Sequence, residues 1–413
     1  MKLKYGLISA DSHAQVDRDA FTSRMSKAKF GDRIPHVVET RDKALMAEPH
    51  DGPVERWVVD GKVVDTRGVT NCPAIMGDRF RTYTAQRWEE IPRSVYDPVE
   101  RLKILDSDGV DAEVLFPNPP IQNATFFQGD AELELACVQA YNDAIGEWRR
   151  ASERYIPLAL VPYLGGVEAA VAEMERVAIN GFRGVLMIAE PSNAVKSKGD
   201  TIFRIASANP ALAGLKHFSD PYWDPLWAAC EAGGLAIHWH TSAGIQLRIP
   251  MWRGYGRGQM LAAFAPPTFA VLGQFLPNLI FSHILERYPR LNWVCAETGL
   301  GWLNYVFESC DHEWERRHLW TEGIRTRPSE LLKRQLYVAV WFEEHGIASR
   351  FDVGVDRIMW ESDFPHNTST YPESWKAVDR VFSGVPAQER RLMMWENAAR
   401  LYRLEAEPPE SMH

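Results

Sequence analysis

Apolar residues along this chain come in short blocks separated by stretches with helical spacing. The strand-like blocks are 5–10, 112–116, 156–163, 185–189, 235–240, 292–296, 336–341 and 357–361. Between them, 97–105, 131–153, 167–179, 225–232, 284–288 and 302–320 read as helices, and two more close the chain. In 167–179, Val167, Ala170, Val171, Met174 and Val177 recur on one helical face, and Gly181 supplies a stop. Two long segments break the alternation: 17–95, polar and weakly periodic, and 243–278, with Gly254, Gly256, Gly258 and Pro266-Pro267. Strands mostly followed by helices, with no solenoid-type repeat, predict one α/β domain over 1–413. The expected architecture is a closed (β/α)8 barrel of TIM type with insertions at about 17–95 and 243–278, after strands one and five. An open doubly wound sheet would need a glycine-rich turn after its first strand, where this chain has Asp11-Ser12-His13-Ala14.

Composition narrows the class. With 46% hydrophobic and 24% charged residues the chain is an ordinary globular protein. A net charge of −9 argues against a nucleic-acid partner. No apolar run approaches the ~20 residues of a membrane span; the best, 271–281, is broken by Gly273, Pro277 and Asn278. The opening residues carry two lysines but too short an apolar stretch for a secretory signal. Cys72, Cys137, Cys230, Cys295 and Cys310 are scattered, odd in number and without a CxxC pair. They read as free thiols in a reducing cytoplasm. The 15 tryptophans are many for this length, enough for both core and pocket walls.

In a barrel of this type, catalytic groups sit at the carboxyl ends of strands. Those positions hold Asp11 and His13 (first strand), His238 and His240 (fifth), Glu297 (sixth) and Asp363 (eighth). Residues two apart on a strand share a face, so both pairs can aim into the barrel mouth. Imidazoles and carboxylates without thiolates suit a catalytic Zn2+, Fe2+, Mn2+ or Co2+. Each piece alone is common; their fall at four strand ends is not.

With those residues in view, the chain resembles the amidohydrolase-related group that includes aminocarboxymuconate-semialdehyde decarboxylase and the resorcylate decarboxylases. The resemblance is carried by ISADSH (8–13), YDPVERLKILDSDGVDAEVLFP (96–117), YIPLALVP (155–162) and GFRGVLM (181–187). It continues through DPLWAACEAGGLAIHWH (224–240), LERYPRLNWVCAETGLGWLNY (285–305) and GVDRIMWESDFPHNTSTYPES (354–374). It implies metal ligands at Asp11, His13, His240 and Asp363, with Asp363 also able to take a proton, and His238 in support or on a second ion. One ion is expected and two are possible. The decarboxylases carry a histidine after strand six; this chain has Ala296-Glu297-Thr298-Gly299. Glu297 is then an acid/base or a further ligand.

That departure favours a hydrolase: a metal lowers the pKa of bound water towards ~7 and polarises an ester, thioester, lactone or amide carbonyl. Asp363, Glu297 and His238 are the expected catalytic groups. The alternative is non-oxidative decarboxylation of an aromatic or enoic acid. A metal-free scaffold would lack the four ligand residues, all of which are present. His283, Trp302, Trp252 and Arg183 are read as substrate contacts, with Trp57, Trp88, Tyr255 and Phe264 as further pocket walls. Arg248, Arg253 and Arg257 are candidates for an anionic substrate group. The expected partner is a small-molecule substrate, and the expected assembly, by analogy with related barrels, a homodimer.

Overall fold

The computed structural model describes every residue except 42–51, 65–67, 79, 81, 82, 122, 123, 127–129, 190–214, 242–251 and 410–413. The chain opens with strand β1 (Ile8–Ala14). A small antiparallel sheet follows, made of β2 (His36–Thr40), β3 (Val54–Val59) and β4 (Lys62–Val63). Then come β5 (Ala112–Pro117), β6 (Tyr155–Leu160), β7 (Gly184–Leu186), β8 (Ala236–His240), β9 (Trp293–Ala296), β10 (Leu336–Val340) and β11 (Ile358–Trp360). β1 and β5 to β11 form one parallel eight-stranded sheet in sequence order. Its two edges meet: Ser12 bridges Phe364, the His13 amide donates to the Phe364 carbonyl at 2.6 Å, and the Asp363 amide donates to the Asp11 carbonyl at 2.9 Å. These bonds join the edges of a (β/α)8 barrel, as the strand alternation predicts.

Local chemistry sets the helices that wrap it. Pro98–Asp108 starts where the Asp97 carboxylate accepts from the amides of Val99 and Glu100, with Pro98 preset in its first turn. Asp130 caps Ala131–Gly146 in the same way. The long predicted helix 131–153 divides here, its last turn being Trp148–Ala151. β1 runs further than the apolar pattern indicates, so Asp11-Ser12-His13 lie inside the strand. The buried faces of the strands and helices form one continuous apolar core. No single helix among the described residues is long and apolar enough to cross a membrane.

Within 17–95, the β2–β4 sheet turns at Asp60-Gly61, both with positive φ, the signature of a two-residue hairpin. Trp57 is fully buried there, packs edge-on to Phe21 and Trp88, and donates its indole N–H to the Val69 carbonyl at 3.0 Å. Trp57 and Trp88 are therefore core of the small sheet and not pocket walls. Within 243–278, the described part becomes helical from residue 257: Arg257–Phe269, with Pro266 and Pro267 inside it, then Val271–Gln274 and Leu276–Phe281.

One buried carboxyl outside the site yields a pH prediction. Glu134 accepts the amides of Tyr163 (3.0 Å) and Leu164 (2.7 Å), and burial pushes its carboxyl from 4.5 up to about 7. Folding thus takes up a proton between these values, so the contribution is full below pH 4.5 and is lost as pH rises through 7. The loss is at most about 3 kcal/mol. Glu134→Gln keeps an oxygen for both amides and has no proton to lose. Thermal melts from pH 5 to 8 should show the variant gaining on the wild type as pH rises; parallel curves would refute the assignment.

Candidate active site

Strand ends bring the charged residues together at the carboxyl end of the barrel. β1 supplies Asp11 and His13 beside a register irregularity between Ser9 and Ser12, a feature common next to active sites. β8 ends on His240, Glu297 follows β9, and Asp363 follows β11. Glu297 (φ 50°) and Asp363 (φ 51°) adopt the left-handed conformation, sparsely populated for residues with a Cβ and concentrated at functional sites. The Glu297 amide donates to Glu361 at 3.1 Å, and Glu343 accepts the amides of Leu300 and Gly301, which fixes the turn behind Glu297.

The side chains converge closely. His13 Nε2 lies 3.5 Å from Asp11 Oδ1 and 3.3 Å from Asp363 Oδ1. His240 Nε2 lies 3.3 Å from Asp11 Oδ2 and 3.3 Å from Glu297 Oε2. His13 donates from Nδ1 to the Pro117 carbonyl at 3.0 Å, so its Nε2 lone pair faces the cluster. Burial, reinforced by the adjacent His366, holds this imidazole down at about 3, hence neutral and able to ligate. Phe116 forms an apolar wall against His13 and His240.

Buried and without hydrogen-bond partners are both Asp11 oxygens, His13 Nε2 and His240 Nε2. Orphaned buried polar atoms are expensive unless something absent from the protein pairs them. Ligand atoms of Asp11, His13 and His240 lie within 4.8 Å of one another, and so do those of His13, Asp363 and His366. Electrostatics agree. Burial, then the neighbouring Asp363, raises the Asp11 and Glu297 carboxyls well above their usual range; burial, then Asp11, does so for Glu361. Burial pushes Asp363 the same way, but the adjacent His366 ring outweighs it and holds Asp363 well below the carboxylate range. A divalent cation would relieve this crowding of acids. The residues fit such an ion.

Five predicted residues thus gather: Asp11, His13, His240, Glu297 and Asp363. His238 does not join them. It shares an inward face with His240 but lies a layer deeper, where Nε2 meets the Tyr402 hydroxyl at 2.8 Å and Nδ1 faces the Ala236 (3.1 Å) and Val185 (3.3 Å) carbonyls. Both nitrogens are committed, and burial holds the ring at about 3. His283 heads a one-turn helix, Ile284–Arg287, and faces Glu286 at 3.7 Å and Gly323; a single turn is too short to bring it to the mouth. Trp302 donates its indole N–H to the Thr298 carbonyl at 2.8 Å and packs over Gly273, so it braces the turn after Glu297. Trp252 is 78% exposed and walls nothing among the described residues. Tyr255 and Phe264 are half-buried, Arg253 is exposed and Arg257 half-buried, while Arg248 lies outside the described residues. Arg183 precedes β7 and therefore sits at the opposite end of the barrel from the site.

The structure adds His366. Its ring stacks on His13 at 3.6 Å, Nδ1 lies 3.1 Å from Asp363 Oδ1, and Nε2 lies 2.9 Å from Asn118 Oδ1. Thr368 donates to the other Asp363 oxygen. Fully buried Arg101 donates to the His13 carbonyl at 3.2 Å, stacks on Phe364 at 4.1 Å and pairs with Glu113 at 2.8 Å, tying β1 to the Asp363 loop.

Comparison with solved structures gives the same fold over almost the whole chain. An amidohydrolase from Mycobacterium avium subsp. paratuberculosis K-10 superposes with a TM-score of 0.71 at 18% identity, covering 97% of this chain and 100% of that one. A 2,6-dihydroxybenzoate decarboxylase from Rhizobium gives 0.59 at 17% identity, covering 97% and 99%. A dihydroxybenzoic acid decarboxylase from Polaromonas sp. JS666, with bound manganese and the inhibitor 2-nitroresorcinol, gives 0.60 at 15% identity, covering 97% of each. At such identities the likeness is one of fold. No protein of curated function matches the chain. The sequence pattern of the family described as Amidohydrolase matches residues 83–404, from before β5 to the last helix. Fold, strand-end residues and this match agree: the chain belongs to the amidohydrolase family.

Proposed function

We propose that this protein is a metal-dependent carboxy-lyase that releases CO2 from a small aromatic or enoic carboxylic acid. The observation that carries this reading is His366. The case for hydrolysis rested on the lack of a histidine after β9, where Glu297 stands; His366 supplies an imidazole at the same cluster, against Asp363 and His13. Asp11, His13 and His240 would hold the ion, with Asp363 facing it. When bound, a divalent ion supplies Lewis acidity and an anchor for a substrate carboxylate and a neighbouring oxygen.

The chain's own residues then handle the proton. The bond between the carboxylate carbon and the ring or vinyl carbon breaks, CO2 departs, and the electron pair left on carbon takes a proton. His366 Nδ1 is the donor, and Asn118 at Nε2 fixes the ring's direction. Glu297, whose carboxyl is pushed well above its usual range by burial and then by Asp363, is a second acid at the rim. Phe116 gives the ring an apolar wall. The decarboxylases that share this fold, one with manganese bound, support the substrate class and make Mn2+ the first ion to load. Hydrolysis of an ester, thioester, lactone or amide is the second reading, favoured by Glu297 at the strand end.

The test is product analysis in D2O. Mn2+-loaded enzyme given a panel of hydroxylated aromatic carboxylates should release CO2 and place deuterium on the vacated carbon. No CO2 from any of them, with activated esters cleaved and solvent oxygen incorporated, would replace this reading by hydrolysis.

A further inference from the structure

We propose that the amino-terminal end of the barrel, opposite the catalytic mouth, carries a binding site for a small phosphate-bearing anion, formed by Arg149, Arg183 and Arg403. Register brings the three together. Gly184 of β7 pairs with Ala236 of β8, and the Ala236 amide donates to the Arg183 carbonyl at 3.0 Å. The turn before β7 therefore runs beside the turn before β8, about 5 Å apart as in any sheet. Arg149 lies across the first turn and Arg403 across the second.

Both turns are built to receive a guanidinium. Gly181 (φ 88°) and Gly234 (φ 61°) sit directly beneath the two arginines. A Cβ at Gly181 would stand 2.8 Å from Arg149 Nη1, and one at Gly234 would stand 2.5 Å from Arg403 Nη1. Arg403 itself holds a left-handed φ of 54°, and its Nη2 donates to the Gly233 (3.2 Å) and Gly234 (2.9 Å) carbonyls. Arg183 donates to the Phe182 carbonyl at 3.2 Å. The groups are thus partly anchored, with donors to spare.

None of the three pairs with a carboxylate among the described residues. Arginines before other strands do: Arg154 with Asp106 at 3.0 Å, Arg290 with Glu231 at 2.9 Å, Arg357 with Asp356 at 3.6 Å. Burial lowers the Arg183 pKa, and the charges of Arg403 and Arg149 lower it further, with no acid to offset them. A cavity of about 560 Å³ opens alongside, lined by Arg149, Arg150, Asn180 and Phe182. The two acids that also line it, Asp143 and Glu147, are already engaged by Arg176 (2.6 Å) and Arg24 (2.8 Å). Clustered guanidiniums match the oxygens of phosphate through paired N–H donors. The net charge of −9 repels a polyanion, which leaves a small ligand.

Calorimetric titration of the metal-loaded protein tests this, with inorganic phosphate and glycerol phosphate as probes and sodium chloride at matched ionic strength as control. Saturable binding is expected, weakened at least about tenfold by Arg183→Gln and by Arg149→Gln, with a phosphate-induced rise in Tm that the variants lose. Both substitutions lie on half-buried side chains far from the mouth, and unchanged melting without phosphate shows that they fold. Tighter binding of glycerol phosphate identifies an organic phosphate as the natural ligand; equal binding identifies phosphate itself. No saturable binding by the wild type overturns the proposal. Binding that both variants retain overturns it too, since that phosphate would be held at the metal centre.

Discussion

His366→Gln should lower kcat by about 10²–10⁴-fold while the protein keeps its metal, the range expected when a positioned acid is lost. The glutamine amide can still donate to Asn118, and it stacks on nothing that the fold requires. It cannot hand over a proton. The imidazole it replaces lies 3.1 Å from Asp363 and against the His13 ring, and it stands outside the Asp11–His13–His240 set. A purely structural role would show instead as a lowered melting temperature. Metal content is the check: if His366→Gln is emptied of metal, His366 is a ligand and the proton donor must be sought at Glu297.

Much of this site was legible in the sequence because barrel strands have a fixed direction and a period of two. Asp11, His13, His240, Glu297 and Asp363 stand at carboxyl ends of strands, and those ends face one mouth. Period two gives the face of a residue and not its depth, which is why His238 could be expected at the mouth beside His240 yet meets Tyr402 a layer below. His366 was hidden for the opposite reason: it lies in the loop after β11, where no periodicity points anywhere, although its spacing of three from Asp363 was a usable signal. Arg183 could have been placed from its position before β7, since residues entering a strand lie at the far end of the barrel. The small sheet was missed because 17–95 is mostly polar, but Asp60-Gly61 between valine-rich stretches is a recognisable hairpin turn. The burial of Trp57 follows from that sheet and was invisible without it.

Every role proposed at the barrel mouth depends on a bound metal. Asp11, His13 and His240 bring unpaired acceptor atoms together in a buried space, and losing one of three such ligands should weaken metal binding by more than the roughly 10–100-fold seen for a supporting residue. His240→Ala is the sharpest case. It removes a side chain at a strand end whose Nε2 has no other hydrogen-bond partner, so the fold loses little. Asp11→Asn is a useful companion: its amide group fills the same space but presents an N–H to the ion. Elemental analysis and equilibrium titration with Mn2+ of the wild type, His240→Ala and Asp11→Asn therefore decide whether these residues hold an ion. Near-stoichiometric metal is expected in the wild type and loss of occupancy in both variants, each still folded by its thermal melt. A wild type that binds no divalent ion, or variants that retain full occupancy, would contradict that assignment.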